Sequence, residues 1–166
     1  MRFASLIPVV LFALAAPVHA APATPLAPMA YLAGHCWKGD IPMTLSSDEH
    51  CFAWVLDGRA LRDTHTVRTS GKPDVVGETT YYWNPVSKAV EYMYLDSGDT
   101  YARGAMESAA NALYFPPNEQ LAHGPANSYR VRWNPLGEDS IQAFTESRGK
   151  DGAWFSVFQM TLKRTK

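Results

Sequence analysis

The 166-residue chain reads as an all-β protein, a meander of about ten antiparallel strands closing into a barrel, and three observations predict this. From Gly34 onward apolar and polar residues alternate in short runs, the period of a half-buried strand, and no segment sustains the 3.6-residue period of a helix. Turn signals such as Asp57-Gly58, Asn84-Pro85 and Ser97-Gly98-Asp99 separate the runs at intervals too short for crossover helices. Aromatic residues make up 12% of the chain, a share that suits pleated, half-buried surfaces. A meander of this length closes so that no strand edge is left unpaired, with an open two-sheet sandwich as the alternative.

Residues 1–20 are set apart from this pattern. Arg2 supplies a positive start, Leu6 to Ala16 an apolar run, and Val18-His19-Ala20 the small residues that signal peptidase reads, so a leader cleaved after Ala20 is expected. The apolar run is too short for a permanent bilayer span. Residues 21–28, Ala-Pro-Ala-Thr-Pro-Leu-Ala-Pro, are expected to be a mobile proline-rich tail, and Met29 to Leu32 one helical turn covering an end of a single barrel domain over 29–166.

The strands follow in order. The first is expected over 34–40 and the second over 49–56, with Asp57-Gly58 supplying the positive φ of a type I′ hairpin turn. The third, 59–68, carries Leu61, Asp63, His65 and Val67 on one face; Ser70 to Asp74 breaks it. Strands at 75–83, 89–95 and 100–107 come next, then a short one at 113–115 ended by Pro116-Pro117. The stretch 116–127 is the longest without strand character. Strands at 128–133, 140–147 and 154–163 complete the ten.

Cys36 and Cys51 lie on the first two strands of a chain expected to be exported, so they are expected to form a disulfide across that hairpin. In the chain-entropy account, closing such a loop stabilises the fold by about 3 kcal/mol. The charge balance excludes other classes. With 15 basic and 16 acidic residues the chain has a formal charge of −1, and losing Arg2 with the leader makes it −2, so there is no basic stripe for nucleic acid.

Several segments together resemble a bacterial family of lipocalin-like, calycin-type barrels. They are the opening Leu32-Ala33-Gly34 with Trp37, the run Val55 to Arg62, the strand Gly77 to Tyr81, and Phe158 to Leu162. The layout is more distantly similar to nitrobindin-type haem-binding barrels. The resemblance implies a ten-stranded barrel with a cavity. In the haem-binding barrels the iron is held by a histidine from the C-terminal part of the chain; here no histidine follows His123, which falls in a loop, so haem stays an alternative cofactor with no ligand assigned.

Candidate chemistry is sparse. His35-Cys36 and His50-Cys51 repeat a dipeptide across one hairpin, but alternation sends the histidines to the face opposite the cysteines, so four zinc ligands do not converge. The same parity places the histidines with Trp37, Phe52 and Trp54. Among charged residues within strands, Glu78 and Arg103, beside Gly77 and Gly104, are the expected inward pair, because an unpaired inward charge costs several kcal/mol, of order 3–5. Asp63 and His65 share a face as an acid and a base, more often a hydrogen-bonded couple than a catalytic one. No phosphate loop, nucleophile elbow or dinucleotide fingerprint is present. No residue is assigned a catalytic or metal-ligating role.

The function expected is an exported barrel, periplasmic or secreted, that binds a small, partly apolar ligand in its interior. Trp37, Trp54, Glu78, Tyr82, Arg103 and Phe158 are the candidate contacts. The alternatives are an envelope interaction protein with a packed barrel and an enzyme using inward polar residues.

Overall fold

The computed structural model describes residues 24–120 and 129–166; the leader expected over 1–20, and His123, lie outside the described residues. Ten antiparallel strands close into a barrel. They are β1 (Cys36–Ile41), β2 (Ser46–Val55), β3 (Ala60–Thr69), β4 (Val75–Asn84), β5 (Ala89–Asp96), β6 (Tyr101–Ala109), β7 (Ala112–Phe115), β9 (Arg130–Pro135), β10 (Ser140–Arg148) and β11 (Trp154–Arg164). Each pairs with its neighbours in chain order, β5–β6 included, and β1 pairs with β11 to close the ring. An eleventh strand, β8 (Glu119–Gln120), lies in the stretch expected to be free of strands and pairs with β6 at Ala102 and Arg103, beyond the reach of the short β7.

The β2–β3 connection differs from the expected turn. Val55 pairs with Ala60, and the four residues between them contain three successive positive φ values, at Leu56 (52°), Asp57 (55°) and Gly58 (78°). The amide of Gly58 donates to the carbonyl of Val55, so the type I′ turn is centred one residue earlier, on Leu56-Asp57.

Chain closure also starts earlier than expected. Thr24–Met29 forms a 3-10 helix, and Leu26, in the segment expected to be mobile, is 0% exposed. An apolar leucine beside an open barrel end gains more by burial than it loses in chain entropy, so the segment from Thr24 becomes part of the fold. Leu26, Met29 and Leu32 cover the end of the barrel near the β6–β7 turn, and Trp37 Nε1 donates to the carbonyl of Leu32.

Inward residues form one core. Trp37, Phe52, Leu61, Tyr81, Val90, Tyr92, Met106, Leu113, Phe115, Trp133, Ile141 and Leu162 fill the half of the barrel that the N-terminal segment covers. On the outer face, the register pairs Cys36 with Cys51 and the two form the expected disulfide. Among the described residues, no helix is long and apolar enough to cross a membrane.

Candidate functional site

Toward the other end of the barrel, the inward residues become polar. The sequence carries the pattern Asp-x-His twice, as Asp48-Glu49-His50 on β2 and Asp63-Thr64-His65 on β3, and the antiparallel register sets His50 directly opposite His65. Strand alternation turns all four side chains inward, and each aspartate lies diagonally across from the other strand's histidine or beside its own. On β5, Tyr94 and Asp96 repeat the two-residue spacing on the same face.

His50 is the centre of the group. Its Nδ1–H donates to Asp63 Oδ2 at 2.8 Å and its Nε2–H to Asp48 Oδ2 at 3.2 Å. Burial alone pushes the imidazole toward its neutral form, but the carboxylates of Asp63 and Asp48 outweigh it and hold the His50 pKa at about 10. His50 is therefore a buried imidazolium at neutral pH. Asp48 is held below its usual range: burial pushes it up, and the hydrogen bond and charge of His50 more than offset this. The ring of His50 stands edge-on to Trp133, with centroids 5.3 Å apart, so the aromatic core forms the floor of the site.

His65 has the opposite tendency. Burial, then the neighbouring positive charge of His50, keep it below its ordinary pKa and neutral. Its Nε2–H donates to Tyr94 Oη at 3.2 Å, and Tyr94 Oη–H donates to Asp96 Oδ2 at 2.7 Å. This contact spans two strand spacings, and β4 permits it because the residue between is Gly77. A Cβ there would lie 2.7 Å from His65 Nε2 and 2.9 Å from Tyr94 Cε2.

Two acceptors in the group lack partners: Asp48 Oδ1 and Asp63 Oδ1 are buried with no hydrogen bond. Asp63 is 1% exposed. Buried carboxylate oxygens are normally satisfied by protein, water or ion, so these two mark the place where a donor or cation belongs. One ligand atom from each of Asp48, His50 and His65 lies within 4.8 Å of the others.

The candidate contacts fare differently. Glu78 and Arg103 do not meet inside the barrel. Both are exposed on the outer face, and Arg103 Nε pairs with Glu119 Oε2 at 2.5 Å. The glycines beside them do permit close approach, but it is Gly77 and Gly104 that face inward, against His65 with Tyr94 and against Tyr92, so residues 78 and 103 alternate outward. Tyr82 also points outward, and its hydroxyl donates to Glu91 Oε2 at 3.2 Å. Trp37 is fully buried in the floor, and half-buried Trp54 packs against the core. Phe158 is half-buried and shares the inward face of Met160 and Leu162.

A second ion group lies on the outer face. Glu146, 6% exposed, accepts from Arg130 Nε at 2.6 Å and from Arg132 Nη2 at 3.1 Å, with the guanidinium groups stacked on Trp154 and Phe144. Every charge in it is paired, which fits a structural clamp on β9 and β10.

The repeated Asp-x-His is the signal in the sequence that finds the polar group. Read on one strand, it gives an ordinary couple; read on two neighbouring strands, it gives four converging side chains. Comparison with protein-family models finds no match, and comparison with curated proteins finds none.

Proposed function

We propose that this protein is an exported carrier of the lipocalin-like, calycin-type kind, cleaved after Ala20, that holds a small, partly apolar ligand at the polar end of its barrel. The observation that carries this reading is the pair of buried, unpartnered acceptors, Asp48 Oδ1 and Asp63 Oδ1, above an aromatic floor. A ligand whose polar head donates hydrogen bonds satisfies them, while its apolar part meets aromatic rings such as Tyr94 and Phe158. Trp37 supports the floor in this reading, without touching the ligand. The disulfide and the tripartite N-terminus support export.

Native mass spectrometry of the protein isolated from its own host tests the reading. The expected result is a chain starting at Ala21 that carries one extra bound mass, lost in Asp63→Asn. A species that retains residues 1–20 overturns export, and a bare chain under gentle ionisation overturns the carrier.

A second reading, an envelope interaction protein with a packed barrel, draws on the continuous core that fills the covered half of the barrel. The bare-chain outcome favours it.

A further inference from the structure

The geometry points to a divalent transition-metal site at the polar end of the barrel, in which Asp48, His50 and His65 are the ligands of a zinc-class ion and Asp63 orients His50 from behind. The inference rests on reading this end as the binding site, but not on the organic ligand.

Four features carry it. First, the donors are spaced for one ion: Asp48 Oδ2 and His50 Nε2 are 3.2 Å apart, near the edge of roughly 3.3 Å expected of a zinc tetrahedron with bonds of about 2.0 Å. A ring nitrogen of His65 completes a set lying within 4.8 Å. Second, His50 has the hydrogen bond that metal-binding histidines use. Its Nδ1–H donates to the Asp63 carboxylate at 2.8 Å, which fixes the ring with Nε2 toward Asp48 and His65 and raises the basicity of that nitrogen.

Third, the group has an uncompensated acceptor surface. Asp63 is 1% exposed, and its Oδ1, like Asp48 Oδ1, is buried without a partner. Both carboxylates approach the His50 ring nitrogens, and a dication at Nε2, in place of the proton carried there, compensates their charge. The proton leaves to solvent as the metal enters. Fourth, the strand geometry makes the set rigid: His50 and His65 are a directly opposed pair in the β2–β3 ladder, and Gly77 leaves room for the His65 ring.

The donor chemistry selects the ion. Two imidazoles and one carboxylate suit zinc, cobalt, nickel or copper, whereas calcium and magnesium need more oxygen ligands than are present. Three protein ligands would leave a fourth position of a tetrahedral ion for water or a small ligand.

The test is a Zn²⁺ titration of the chelator-treated full chain, followed by native mass spectrometry, with Co²⁺ in parallel for its visible absorption. Expected are one ion per chain, tetrahedral cobalt bands, and affinity weakened at least tenfold in both Asp48→Asn and His65→Ala. Each variant is first shown to be folded by its thermal transition. Asp63→Asn should lose roughly 10–100-fold through misorientation of His50. His35→Ala, at a histidine outside the group, should bind as the parent does. Failure to form a 1:1 complex overturns the inference, as does unchanged affinity in Asp48→Asn and His65→Ala. If zinc is refused while chelated protein still retains its host-derived molecule, the metal is overturned and the carrier reading stands. If neither is bound, both fall.

Discussion

His50 and Asp63 sit on adjacent strands with Nδ1 and Oδ2 2.8 Å apart, and both side chains are almost completely withdrawn from solvent. Such a pair contributes little net stability when intact but is costly to break, because one partner is then left as an uncompensated buried group. Asp63→Asn keeps the shape and removes the charge. It is expected to destabilise the fold by about 3 kcal/mol. Urea denaturation measures this as a lowered midpoint with an unchanged slope.

The same pair sets the alkaline limit of the metal-free protein. The folded-state pKa of His50, about 10, lies above its ordinary value of 6.5, so its contribution is fully present below pH 6.5 and is lost as pH rises through about 10. Asp48 is shifted down and acts in the opposite sense: its contribution is present above its ordinary value of 3.8 and lost in acid. In chelated protein, the stability gap between parent and Asp63→Asn should therefore be wider at about pH 6 than at neutrality and should narrow further toward pH 10. A gap that does not change across this range would contradict the assignment of His50 as an imidazolium.

Gly77→Ala tests the contact across β4. The new methyl would lie 2.7 Å from His65 Nε2, so the ring must move and the hydrogen bond to Tyr94 must lengthen or break. Overpacking of this kind costs about 1–3 kcal/mol. The expected result is a lowered melting temperature together with an altered His65 resonance in histidine-selective NMR, at a site the substitution does not itself carry.

Leu26→Ala tests whether the N-terminal segment belongs to the fold. The leucine is 0% exposed at the covered end of the barrel, and truncating it should cost about 2–4 kcal/mol in thermal or chemical denaturation. Removing residues 21–28 should cost at least as much. A tail that only trails from the barrel would be lost without effect.

The Cys36–Cys51 bridge lies on the outer face, away from the inward polar group. Replacing both cysteines by alanine should lower stability by about 3 kcal/mol while the far-ultraviolet circular dichroism stays that of the same β fold. Zinc uptake by the double variant should match the parent.

The strands were legible because alternation and turn chemistry are local. Runs such as Val75 to Trp83 or Ala89 to Leu95 carry a period of two that any sheet must satisfy, and the structure places β4 and β5 within a residue of those limits. The hairpin disulfide was legible for the same reason, since its two cysteines lie on adjacent strands. Leu26 was not: whether one leucine in a proline-rich stretch is buried depends on the barrel end it meets, which is built from the distant β6–β7 turn.

What the sequence by itself determined is therefore the closed antiparallel barrel, its order of strands and its cross-hairpin bond, because each follows from periodicity and spacing along the chain. Only the tertiary structure decided which face points inward and which residues meet there. A one-residue choice of parity sends Glu78 and Arg103 to solvent and their glycine neighbours inside, and the same choice brings Asp48, His50, Asp63 and His65 together. The pairing of His50 with His65 depends on the register of β2 against β3, and the contact of His65 with Tyr94 depends on a glycine in a third strand. Register and face are collective properties of the closed sheet, so the site appears only once the barrel is assembled.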